Sequence, residues 1–232
     1  MRTKLLLCAA ALAASLASLS AQNVYSLNVV GYVNVTLPHG QFYAVANPLD
    51  ASVGGTVAGG NDITNLFSTA AGNIQAGSTL ATFNSALVDY DPAITFSGKS
   101  GAWTGNFAMA PGAGALFYNN GASDTVVTFV GQVQQGTYTA ATIPANSFKL
   151  AGSPVPLGGD VANLNTQLGL VPAAGDTVTT FNGTTVDWNA SVTWSAKSSA
   201  WTGPMAIGAG QGFLYYNNSA TAKTWVSNFT VQ

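Results

Sequence analysis

The sequence contains no glutamate, one histidine and one cysteine. Charged residues make up 6% of its 232 positions, against roughly 25% in an ordinary soluble protein. Each scarcity excludes something. One cysteine and one histidine cannot supply zinc or copper with a ligand set, so no metal or other cofactor is expected. The cysteine is Cys8, so the chain beyond it carries no disulfide and must rely on its hydrophobic core. Beyond residue 21 there is no arginine, and four lysines face eight aspartates, a formal charge of −4. That balance offers no basic face for nucleic acid and no polybasic segment for anionic lipid. His39 is the only base a Ser-His-Asp triad could use. It sits in Leu37-Pro38-His39-Gly40, a turn signal, and reads as a turn residue.

What is present begins with a targeting segment. Arg2 and Lys4 precede an apolar run from Leu5 to Leu16, and Ala17 or Ala21 offers a small-residue cleavage point. Residues 1–21 are therefore expected to be a signal peptide, too short to span a bilayer. Cys8 lies inside the apolar run, too early to be a lipoprotein cleavage site. The mature chain is expected outside the cell, without membrane insertion.

The rest of the chain is organised by a duplication. Gly77–Gln134 and Gly175–Gln232 align without a gap, and about 25 of roughly 58 positions are identical. The repeat extends upstream, where Phe42–Asp50 matches Phe148–Pro156. Between Asp50 and Asp62 the first copy carries about eight extra residues, rich in glycine, which read as a flexible surface loop. Asp62 and Asp160 each precede a short helical pattern and read as N-caps. Tyr25, Leu27, Val29, Val33, Val35 and Leu37 fall on one face at period two, which predicts a long half-buried strand. Further strands are predicted near Thr79–Phe83, Val88–Tyr90, Ile94–Ser97, Gly114–Tyr118 and Thr125–Val130. The expectation is an all-β chain of two tandem sandwich-like repeats, residues 22–134 and 135–232, each with one short helical turn.

Several short motifs resemble a module of uncharacterised bacterial secreted and cell-surface proteins. They are Ala46–Leu49 (ANPL), Met109–Asn120 (MAPGAGALFYNN), Gly208–Asn218 (GAGQGFLYYNN), Thr128–Val133 (TFVGQV) and the opening Val24–Asn34. The second copy departs from the pattern at Ser153-Pro154 and lacks the closing glycine. The resemblance implies an extracellular, compact β module. It implies no reaction.

Candidate chemistry is sparse. Asp89 and Asp187 are equivalent, as are Lys99 and Lys197, and a repeated structural ion pair is the plain reading. A glycosidase would need two carboxylates across one cleft. Asp89-Tyr90-Asp91 is the nearest approach to a calcium cluster, but Asn189 replaces the second aspartate in the other copy. Gly208–Gly212 lacks the lysine and the following helix of a phosphate loop. Five tryptophans suit either a core or a sugar platform, and Trp103 and Trp201 are the equivalent pair to test for glycan binding. The first strand, through Val24, Tyr25, Leu27, Val29 and Val33, is a candidate for pairing with another copy. Together these features point to a non-catalytic structural or adhesive protein of the cell surface or matrix, with self-association or other surface proteins as partners. The alternative is a carbohydrate-binding protein using exposed aromatics, and the third reading is an aspartate-dependent glycan hydrolase.

Overall fold

The computed structural model describes residues 29–68 and 73–231. Residues 1–21, expected to be a signal peptide, and the candidate assembly residues Val24, Tyr25 and Leu27 lie outside them. The first half runs β1 (Val30–Leu37), β2 (Phe42–Ala46), α1 (Ile63–Leu66), β3 (Thr79–Asn84), β4 (Asp89–Tyr90), β5 (Ile94–Ser97), β6 (Ala102–Trp103), β7 (Gly114–Tyr118) and β8 (Thr125–Gln132). The second half runs β9 (Gly136–Ile143), β10 (Ser147–Gly152), β11 (Gly159–Asp160), α2 (Asn163–Thr166), β12 (Thr177–Asn182) and β13 (Asp187–Trp188). It ends with β14 (Val192–Ser195), β15 (Ala200–Trp201), β16 (Ala206–Ile207), β17 (Gly212–Asn217) and β18 (Lys223–Phe229). The chain is all-β, and its two halves are sandwich-like repeats.

Each half has the same two layers. One layer is an antiparallel sheet, β2-β7-β3-β5-β6 or β10-β17-β12-β14-β15, with β4 or β13 added beside the third strand. The other is a ribbon that joins the first and last strands of the repeat, β1 with β8 or β9 with β18. Alternation explains the ribbon. Val33, Val35 and Leu37 on β1 face Phe129, Val127 and Thr125 on β8, and all six are buried. Gly31 sits in an unbroken ladder, so it marks no bulge. A Cβ there would stand 3.3 Å from Val133 and 3.5 Å from Leu49, so close packing explains it. β9 buries little of its own, and the ladder shifts register between Trp225 and Val226 on β18.

Between the layers lies the helical turn. Phe67, just after α1, is fully buried and stacks on Phe117 at 5.8 Å, with Phe129 edge-on at 5.6 Å. The aspartates before the helices do not cap them. Asp62 occupies the N-cap position, but its side chain makes no cap hydrogen bond and instead accepts one from Asn106 at 2.8 Å. Asp160 precedes the N-cap, Ala162, by two residues, and its carboxylate accepts the Ala162 N–H at 2.9 Å and the Met205 N–H at 3.2 Å. Neighbouring segments satisfy the entry amides instead, with the Ile63 and Val161 N–H groups donating to Phe107 O and Met205 O, and Asn106 and the Met205 N–H take up the carboxylates. The inserted loop of the first half is exposed but anchored. Asp50, buried at its base, accepts hydrogen bonds from the Ser52 and Gly54 N–H groups and the Asn61 amide.

The halves meet through reciprocal contacts. The Ala46 N–H donates to Gly210 O at 2.9 Å, and the Gly152 N–H donates to Gly112 O at 3.0 Å. Val45 bridges Gln211, and Ala151 bridges Ala113. Each of these pairs maps onto the other under the sequence repeat, as a two-fold axis requires. On the axis Gly152 faces Ala46, and a Cβ on Gly152 would fall 2.2 Å from the Ala46 Cβ. Beside it Ala44, Leu150 and Leu214 are buried among Phe83, Tyr90, Leu116, Phe148, Phe181 and Trp188, drawn from both halves.

Candidate functional site

The polar candidates are mostly committed to structure. His39 is an exposed turn residue, and Asp124 accepts from its backbone N–H and pairs with its ring Nδ1, both at 2.9 Å. Those hydrogen bonds hold the Asp124 carboxyl below the usual aspartate range. Asp89 and Asp187 accept the N–H of the next residue at 2.7 Å. Neither Lys99 nor Lys197 forms an ion pair among the described residues, so the expected Asp–Lys pairs are not made. Asp91 accepts hydrogen bonds from Thr82 Oγ1 at 2.6 Å and Asn84 Nδ2 at 2.9 Å. Among the described residues no three His, Cys, Asp or Glu side chains gather in one place.

A buried ionic cluster escaped the sequence reading because it exists in one copy only. Asp176, fully buried, pairs with Lys223 and accepts a hydrogen bond from the Tyr215 hydroxyl at 2.5 Å. The first repeat has Ser78, Thr125 and Phe117 at these places. Burial opposes ionisation of Asp176. The Ala173 and Asn218 N–H groups, Lys223 and Tyr215 outweigh it and hold the carboxyl below its usual range. Burial, then the hydrogen bond and charge of Asp176, push the Tyr215 hydroxyl far above the ordinary tyrosine value.

The equivalent tryptophans part company. Trp103 is 8% exposed, packs edge-on to Phe96 at 5.5 Å, and donates its Nε1–H to Phe67 O at 3.1 Å. It presents no face to a ligand, which leaves Trp201 as the aromatic of that pair able to meet one. Trp201 is half-buried and lines a cleft of about 480 Å³ between α2 and the β14–β15 hairpin. The matching cleft of the first repeat, beside Trp103, holds about 130 Å³.

The difference has a traceable cause. Asn165 stands where the first repeat has Phe67. The second core also carries Trp225 in place of Val127, fully buried and donating its Nε1–H to Leu168 O at 2.7 Å. Asn165 lies in the cleft wall, and its Oδ1 accepts the Trp201 Nε1–H at 3.1 Å. That bond fixes the amide orientation, and its NH₂ group has no partner among the described residues. Trp194, in place of Phe96, meets Trp201 edge to face, with centroids 5.4 Å apart and planes at 73°. At the rim Ser199 holds φ +49°, where the first repeat has Gly101 at +63°. A serine in the left-handed region costs about 1 kcal/mol relative to glycine.

Among the described residues Asp160 is the one carboxylate lining the cleft, and no lysine lines it. Its chemistry is that of an aromatic wall set against small hydrogen-bonding groups. Sequence reasoning reached Trp201 but missed Trp194, Asn165 and Ser199. The signal was available as polar residues in one copy opposite Phe67 and Gly101 in the other. Comparison with models of protein families, with curated proteins and with solved structures finds no match to this chain.

Proposed function

We propose that the protein is an exported, non-catalytic adhesive component of a bacterial cell surface or extracellular matrix, holding its target through the cleft of its second repeat. The observation that carries this reading is the lining of that cleft. It combines two indole rings with an amide, two hydroxyls and a single carboxylate, a set suited to holding a ligand. Bond cleavage between two carboxylates would call for a second acid, which the lining does not contain. The leader-like residues 1–21 and the low charge support export and a surface role. Among the described residues no helix is long and apolar enough to cross a membrane. Co-sedimentation of the purified chain with insoluble cell-wall and matrix polysaccharides tests the proposal. Retention in the pellet without release of soluble sugar is expected. Release of sugar would favour the hydrolase reading instead.

A second reading, self-association, has its own observation. The outward row of the β1–β8 ribbon exposes Val30, Tyr32, Val126 and Val130, and Tyr32 is 73% exposed. Val33 is buried and Val29 packs against the core, so this opposite row is the surface left for a partner. Light scattering across concentrations should show growth that Tyr32→Lys suppresses. A monodisperse monomer at all concentrations would remove this reading.

A further inference from the structure

We infer that the ligand of the second-repeat cleft is a carbohydrate, engaged through an uncharged pyranose ring. The inference rests on the adhesive reading and names its target. A pyranose has one face of C–H groups and a rim of hydroxyls, so it needs an aromatic wall with polar groups beside it. The cleft supplies that pairing. Trp194 and Trp201 form the wall, the unpartnered Asn165 NH₂ offers donors, and Ser199 Oγ and Asp160 offer acceptors.

Other ligand classes fit less well. A purely apolar molecule would cover the Asn165 amide without pairing it, at a desolvation cost. A phosphorylated or carboxylated ligand would bring negative charge beside Asp160, with no cation in the lining to offset it. Lys197 lies in the β14–β15 turn, outside the lining. A proline-rich peptide docks across successive aromatic ridges, whereas this cleft has one edge-to-face pair. A volume of about 480 Å³ lies within the ordinary range for small-ligand sites.

The repeat itself argues that the cleft is a site and not a packing gap. The same backbone in the first half closes the space with Phe67 and relaxes the rim with Gly101. The second half has neither, and instead presents a solvent-facing amide and a strained serine at one cleft. A strained serine kept where the other copy has glycine is what a binding role can maintain against stability. One site per chain follows.

The test is a glycan array, followed by calorimetry, on the full chain. The array carries neutral oligosaccharides, acidic ones and proline-rich peptides. Neutral glycans should bind, acidic ones should not, and Asp160→Asn should admit acidic members. Asn165→Phe, which restores the residue of the first repeat, and Ser199→Gly, which relieves backbone strain, should each weaken binding about tenfold or more, equivalent to about 1.4 kcal/mol. Trp103→Phe should leave it unchanged. Preferential binding of acidic glycans, or of the peptides, would overturn the inference while leaving the adhesive reading standing. Unaltered glycan binding by both Asn165→Phe and Ser199→Gly would place the site elsewhere and overturn it. Failure to bind any array member, with retention on polysaccharide-free surface material, would defeat the carbohydrate assignment alone. Failure of both assays would defeat the adhesive reading with it.

Discussion

At the scale of single residues, the duplication supplies its own control. Asp176, Tyr215 and Lys223 form a buried ionic cluster where the first repeat manages with Ser78, Phe117 and Thr125. Removing one partner leaves an uncompensated charge, so Asp176→Asn should cost about 3–5 kcal/mol. Replacing all three with their first-repeat counterparts should cost far less, within about 1 kcal/mol of the parent, since the same backbone already accepts that set. Urea denaturation followed by tryptophan fluorescence reads both. The pH dependence has a sign at each end. Asp176 has a depressed carboxyl pKa, so its stabilisation is present above the unfolded value near 4 and is lost as pH falls through the folded value. Tyr215 is raised, by burial first, so its contribution is present below the ordinary tyrosine value near 10 and is lost as pH climbs beyond it. Burial, and then the Asp89 charge, push Tyr90 up to about 12, which steepens the alkaline loss. The triple replacement should flatten both limbs relative to the parent. An unchanged acid limb would mean that Asp50, Asp91 and Asp124, also depressed, dominate it.

At the scale of elements, the Tyr-Asn-Asn run that ends β7 and β17 joins the two layers. Asn119 is fully buried, donating to Leu37 O at 2.9 Å and Ser123 O at 3.1 Å while accepting the Gly121 N–H at 2.9 Å. Asn217 repeats the arrangement against Ile143 O, Pro144 O and Thr221 O. Asn119→Ala would strand the Leu37 carbonyl where β1 leaves the ribbon, and a loss of about 2–3 kcal/mol is expected in thermal or urea unfolding. Asn119→Asp should not rescue it, because a carboxylate cannot donate to a carbonyl. Strands of this kind were legible in the sequence. β1 showed as alternation, and β5 and β7 were placed to the residue, because a half-buried strand writes its burial at period two. The helix caps were misread because the groups that compete for these aspartates, Asn106 for Asp62 and the Met205 N–H for Asp160, come from segments distant in sequence. The cleft was half legible. Trp201 stood out as a repeated aromatic, but its exposure depended on a neighbour, Asn165, whose meaning appears only against Phe67.

At the scale of the whole molecule, the two repeats are joined by backbone, with the Ala46–Gly210 and Gly152–Gly112 hydrogen bonds tying one half to the other. Composition alone hides this, because the tie uses glycine and alanine with no side-chain signature. Such a junction predicts one cooperative unfolding transition, in which circular dichroism and tryptophan fluorescence coincide. It also predicts that stability turns on Gly152. A methyl at Gly152 would overlap the Ala46 methyl, so Gly152→Ala should cost about 1–3 kcal/mol by overpacking. Ala46→Gly removes a buried methyl and should cost about 1 kcal/mol. The two residues face each other across the axis, so the double variant carries the methyl on the opposite side and should recover most of the loss. A coupling energy above about 1 kcal/mol in that cycle is the expected result. Simple additivity would mean that the halves do not meet at this point. Two separated transitions in the parent would mean that each repeat is stable without the other.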